Sequence, residues 1–346
     1  MKNSPLESLK RGVKSWEFAL LMILFLEFVI FGAKNSKFLN PNILLGSVND
    51  IISICIISLF VTFVMITGGI DIQAGAIVGF TSIIVGVVWQ DGGLNIWAAC
   101  LIAVIAAALC GALSGFFVAY CNVQPMVVTL GGGFLYSGLA LLVAKLSATE
   151  SYKGISGFPD SFRQISQFKL FGVIPEQVII FAVLTVIAYL LLHKTKYGRK
   201  VFLVGVNPRA AEYSGINSRL VIMSTYVLSG ISAAIAGIVL TSYLDTAKSD
   251  IGATFTLQII TAVVLGGTLS TGGKGNVIGT ALAALVIGIL RFGLPLCFKI
   301  NTQYLDIPVG LLLLIVITAR SLAGNSKVVR FMNGVMPRGW GKTAAH

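Results

Sequence analysis

The chain has 346 residues, of which 56% are hydrophobic and only 11% charged, with a formal net charge of +12 and a mean hydropathy of +0.92. A soluble domain carries about 25% charged residues, so this much apolar surface excludes a single soluble core and points to an integral membrane protein. The apolar runs are continuous and do not alternate, which favours helices over a barrel.

The basic segment 1–15 precedes the first apolar run, and no small-x-small cleavage site follows it, so that run is read as a permanent span. Ten segments reach or approach the roughly 20 apolar residues that a crossing needs: 16–32, 51–69, 72–89, 94–121, 126–144, 173–192, 220–244, 251–269, 277–298 and 304–322. The expected fold is all-α, about ten transmembrane helices in one compact bundle over 16–322, followed by a basic tail, 323–346. Small residues at GxxxG spacing (Gly111, Gly115) and along the seventh and ninth segments allow close helix packing.

Placing both termini in the cytoplasm puts sixteen basic residues on that side and eight on the other, with Arg291 inside a span. Cytoplasmic loops are the richer in Lys and Arg, so both termini and the polar, basic loop 193–219 are expected there. The positive charge thereby serves topology, and no nucleic-acid partner is implied. The external loop 145–172 admits two readings, a plain connector or a surface touched by an external partner.

No catalytic constellation is found. The glycine-rich run 266–276 would be a phosphate loop only with Gly at 268 and Ser or Thr at 275, where Thr268 and Gly275 stand. The five cysteines are scattered without a CxxC pair, and the histidines are His193 and the terminal His346, so neither a metal site nor a cofactor is expected. Ionisable residues in or beside spans are few: Glu17, Glu27, Asp50, Asp71, Arg291 and Asp306. Such groups are costly in a bilayer and are functional candidates. The stretch TGGIDIQAGAIVG at 67–79 breaks an apolar region with Gly68 and Gly69 followed by Asp71. It is either a tight turn whose Asp71 caps the next helix, or irregular backbone lining a pathway. A second glycine pair, Gly266 and Gly267, lies at another junction between spans. In the polar loop, Pro208 suits the first position of a helix running through RAAEYS, and Gly215 can end it.

TGGIDIQAGAIVG, GVNPRAAEYSGIN, SYLDTAKSDIGATFTLQIITAVVLGG and GGKGNVIGTALAALVIG together resemble the permeases of bacterial sugar-type ABC importers, the ribose-permease-like family, in the family's order and over about 16–322. The family usually has Ser where Gln73 stands. The resemblance implies a non-catalytic subunit of the bacterial inner membrane, embedded in membrane lipid, that moves a small polyhydroxylated solute. Its partners would be two copies of an ABC ATPase, a second permease subunit in a heterodimer, and a periplasmic solute-binding protein. It also implies that the segment holding Asn207, Arg209, Ala210, Ala211, Glu212 and Gly215 docks on the ATPase. Gly68, Gly69, Asp71, Gln73, Gly266 and Gly267 are candidates for the translocation pathway. The rival is a stand-alone ion-coupled carrier.

Overall fold

The computed structural model describes residues 16–150 and 153–324. Of these, residues up to Lys299 form one compact unit and residues from Ile300 a second. The first unit contains α1 (Trp16–Lys34), α2 (Pro41–Val48), α3 (Ile52–Ile66), α4 (Ala74–Gln90), α5 (Ile96–Ala119) and α6 (Pro125–Ala144). It continues with α7 (Asp160–Gln167), α8 (Glu176–Tyr189, prolonged by a π-helical turn to Lys194), α9 (Lys196–Val206), α10 (Pro208–Tyr213), α11 (Ser218–Leu244), α12 (Phe255–Leu265) and α13 (Val277–Phe298). The second unit holds α14 (Asp306–Gly324) behind a 3-10 turn at Thr302–Tyr304.

Six helices among the described residues are long and apolar enough to cross a membrane, or seven if α2 and α3, which meet at 50°, count as one. Helix α3 is apolar all round, and every residue from Ile52 to Ile66 is buried, as a central helix requires. Around it stand α8, α11, α12 and α13. Helix α11 runs along α3, α4 and α5, and its tightest approach is to α5, where a Cβ at Gly111 would collide with the Tyr226 carbonyl. The GxxxG pair thus does what small residues do between helices in lipid. Helices α1, α5 and α6 turn large apolar side chains outward, among them Phe25, Leu101, Leu109 and Leu142, as lipid-facing helices do.

At about 1.5 Å per residue, α11 spans some 40 Å and separates two ends of the unit. One end carries the basic segment 193–217. At the other, residues 153–172 form a packed cap. Strand β1 (Ile155–Ser156) pairs antiparallel with β4 (Thr246–Ala247), and β2 (Lys169–Leu170) pairs with β3 (Ile174–Pro175). Phe158 stacks between Trp89 and Phe162, with centroids 4.9 Å from each. Arg163 pairs with Asp160 in its own helix and approaches Asp245 at 3.7 Å.

The segment 251–269 departs from a continuous span. Only Phe255–Leu265 is α-helical, and residues 248–254 run as irregular backbone beside α4. The close approach rests on two glycines of α4: a Cβ at Gly79 would collide with the Ser249 carbonyl, and one at Gly75 with the Gly252 carbonyl, so bare helix surface admits this run of turns.

Candidate functional site

Helix α3 stops at Ile66, and α4 begins at Ala74. Between them the backbone turns at Gly68 (φ +82°), a conformation that glycine adopts without strain. Freed carbonyls in a membrane protein must find donors within the protein. Two threonines supply them: Thr129 Oγ1 on α6 donates to the Ile70 carbonyl (3.1 Å), and Thr256 Oγ1 on α12 to the Ile72 carbonyl (3.0 Å).

Asp71 lies in this break and is 1% exposed. Its Oδ1 accepts the Gln73 amide (3.1 Å), and its Oδ2 accepts Ser229 Oγ from α11 (2.6 Å). It therefore holds the backbone just ahead of α4, whose N-cap position is Gln73, and ties the break to α11. Gln73 is fully buried, and its Oε1 accepts Ser114 Oγ from α5 (2.6 Å). Ser114 stands 3.2 Å from the Tyr136 hydroxyl, which donates to the Cys110 carbonyl (2.9 Å). The larger Gln73 fits because Gly132 of α6 leaves it room; a Cβ there would strike Oε1. Gln73 Nε2 and the Tyr226 hydroxyl, beside Gly69, are buried without a hydrogen-bond partner among the described residues.

At the basic end, α10 is built as its residues dictate. The Asn207 side chain accepts the Ala210 amide (3.1 Å), Pro208 holds the first helical position, and Gly215 (φ +78°) reverses the chain. Ala211 faces inward, while Arg209, Ala210, Glu212 and Tyr213 are exposed. Ser218 Oγ donates to the Pro208 carbonyl (2.8 Å) and fixes α10 to the foot of α11.

This end touches the break directly. A Cβ at Gly205 of α9 would collide with the Ile66 carbonyl, and the Gly273 amide donates to that carbonyl (2.8 Å). The loop 266–276 thereby lies against both α9 and the end of α3. Of its leading pair, Gly266 packs on the backbone of Thr280, and Gly267 faces the Trp16 ring, whose Nε1 donates to the Leu265 carbonyl (2.7 Å). Gly68, Gly69, Asp71 and Gln73 thus share one break, with Gly266 and Gly267 in the adjoining loop and the segment 207–215 one helix away.

The family profile described as "Branched-chain amino acid transport system / permease component" matches residues 43–317. The chain belongs to this permease family. It is 41% identical over 308 residues to the autoinducer 2 import system permease protein LsrD of Yersinia pseudotuberculosis serotype O:3, covering 89% of this chain and 92% of that protein. LsrD of Enterobacter sp. (strain 638) is 40% identical over 316 residues, covering 91% and 96%. LsrD of Escherichia coli (strain SMS-3-5 / SECEC) is 40% identical over 308 residues, covering 89% and 92%. No solved structure matches the chain.

The permease is accordingly a non-catalytic membrane subunit. Its break is held by side chains that the sequence alone does not single out: Ser114, Thr129, Tyr136, Ser229 and Thr256. Hydroxyls are common in apolar helices and mostly bond their own backbone one turn back, as Ser58 and Thr185 do here. Only the fold distinguishes the few that reach across.

Proposed function

We propose that this permease is the membrane subunit of an ABC importer that carries autoinducer-2, a small polyhydroxylated solute, across the bacterial inner membrane. The observation that carries this reading is identity of 40–41% to LsrD proteins, sustained over about nine-tenths of both chains. ATP hydrolysis belongs to two copies of a separate ATPase. A second permease subunit completes a heterodimer, and a periplasmic binding protein delivers the solute.

Ten crossings with both termini in the cytoplasm are supported by the six long helices, the bent pair α2–α3 and three shorter apolar helices, Ala74–Gln90, Phe255–Leu265 and Thr302–Ile315. In this orientation the exposed Arg209, Ala210 and Glu212, between the Asn207 cap and the Gly215 turn, form the face that docks on the ATPase, with Ala211 seating α10 on the permease. Gly68, Gly69, Asp71, Gln73, Gly266 and Gly267 border the pathway. Closure of the ATPase pushes on α10, and the contact of Gly205 with Ile66 passes that push to the break.

The test is uptake of labelled autoinducer-2 and labelled ribose in cells lacking this chain, with and without the chain restored. Restoration of autoinducer-2 uptake is expected. Restoration of ribose uptake alone would assign a monosaccharide permease instead, and uptake independent of any ATPase would refute the ABC reading.

A further inference from the structure

A cavity of about 300 Å³ opens on the first unit between α4, α6 and the irregular segment leading into α12. Its apolar wall includes Ile72 and Phe134, the latter 75% exposed. Its polar groups are Ser137, Ser249, Asp250 and Thr256. Thr256 is occupied in holding the Ile72 carbonyl. The side chains of Ser137, Ser249 and Asp250 make no hydrogen bond to another described residue.

The depth of these groups matters. The Ser249 carbonyl sits against Gly79, eleven residues before the end of α4 at Gln90, which is about 16 Å along the helix. A free carboxylate at Asp250 and a free hydroxyl at Ser249 on this stretch are too costly to face lipid, and Ser137 lines the same cavity. Irregular backbone is tolerated there only against protein or a water-filled space. Residues 248–254 meet α4 on one side and this cavity on the other.

Resting on the importer reading above, we infer that this cavity is the permease's half of the solute path, and that Ser137, Ser249 and Asp250 contact the solute. The chemistry selects a class. The Asp250 carboxylate only accepts hydrogen bonds, and so takes hydroxyl donors. Ser137 and Ser249 donate and accept. Phe134 offers an apolar surface to the C–H face of a small ring. A neutral polyol satisfies all of them, whereas a phosphorylated or carboxylated one meets the charge of Asp250 and is refused. The second permease subunit supplies the facing wall.

The test uses the complete importer in lipid nanodiscs, with the native cysteines replaced and single cysteines introduced as Ser137→Cys, Ser249→Cys and, on the lipid face of α5, Leu101→Cys. Ser137→Cys and Ser249→Cys should react with a charged methanethiosulfonate at least about tenfold faster than Leu101→Cys, because thiol reaction needs water access. Autoinducer-2 or ribose should slow that reaction, and ribose 5-phosphate should not. Asp250→Asn should lower uptake about tenfold, the equivalent of one lost charge-assisted contact, with abundance and ATPase association unchanged. Reaction no faster than at Leu101→Cys overturns the inference. So does fast reaction that no transported solute slows, or wild-type uptake by Asp250→Asn. If the unaltered importer transports neither sugar, the assigned solute fails, and the reactivity of Ser137→Cys and Ser249→Cys alone then decides whether the cavity is a water-filled path.

Discussion

The amide of Gly273 donates to the carbonyl of Ile66 across 2.8 Å, so the loop after α12 is bonded to the last turn of α3, immediately before the break that holds Asp71. Gly205 of α9 closes on the same carbonyl beside Gly273. Three segments far apart in sequence therefore meet on one oxygen, between the proposed docking helix and the proposed pathway.

Gly205→Val should be severe, because its side chain would have to enter the space of the Ile66 backbone. Uptake should fall at least about tenfold, with thermal stability in detergent lowered by the 1–3 kcal/mol typical of overpacking. Gly131→Ala and Gly138→Ala on α6, where a Cβ meets nothing within 4 Å, are the controls and should transport normally. Equal behaviour of all three variants would show that the approach at Gly205 is not needed.

Disrupting α10 should separate hydrolysis from transport. Glu212→Lys reverses the only acidic charge on its exposed face, and Gly215→Val forces a branched side chain into φ +78°. Both variants should insert at normal abundance yet lose ATPase association or solute-stimulated hydrolysis in purified complexes. Asn207→Ala removes the cap and should cost about 1 kcal/mol of local helix stability, giving a partial loss. Normal transport by both Glu212→Lys and Gly215→Val would end the docking role of this segment.

Asp71 should tolerate a polar replacement better than an apolar one. Asp71→Asn keeps an acceptor for the Gln73 amide and can still bond Ser229, so uptake within about twofold of normal is expected. Asp71→Leu strands the Ser229 hydroxyl and the Gln73 amide together, at about 1–3 kcal/mol for each buried group left without a partner. Uptake and melting temperature of the two variants, compared with Ser229→Ala, measure this. A complete transport loss in well-expressed Asp71→Asn would instead assign the carboxylate itself to the pathway.

The proposed orientation is checked by labelling. Ser156→Cys in the cap and Lys200→Cys on α9 both replace exposed side chains. Thr195 is less suitable, since its hydroxyl caps α9 by accepting the Gly198 amide. An impermeant thiol reagent applied to whole cells should reach Ser156→Cys and spare Lys200→Cys; the reverse pattern would invert the topology.

How much of this was readable depends on distance along the chain. Helix α10 could be read directly, because Pro208 and Gly215 act within one short segment through helix-start and turn geometry, to which the structure adds the Asn207 cap. The break at Gly68 and Gly69 was equally visible as a glycine pair in an apolar run. Its supports were not: Thr129 reaches Ile70 from 59 residues away, Ser229 reaches Asp71 from 158, and Thr256 reaches Ile72 from 184. No local pattern marks such hydroxyls. The irregular path of residues 248–254 was hidden for a related reason. The residues after Asp250 are apolar enough to pass for a span, and the bare surface that admits the run of turns lies on another helix, at Gly75 and Gly79.

That path also constrains how the protein is made. Residues 245–250 place Asp245, Lys248 and Asp250 just ahead of α12 in the chain, and charges of this kind resist insertion as an independent helix. The stretch can settle only where α4 already presents its bare glycine surface and Thr246–Ala247 can pair with Ile155–Ser156. The first half of the permease is therefore a template for the second: α12 must enter the bilayer late, into a seat prepared by helices synthesised long before it.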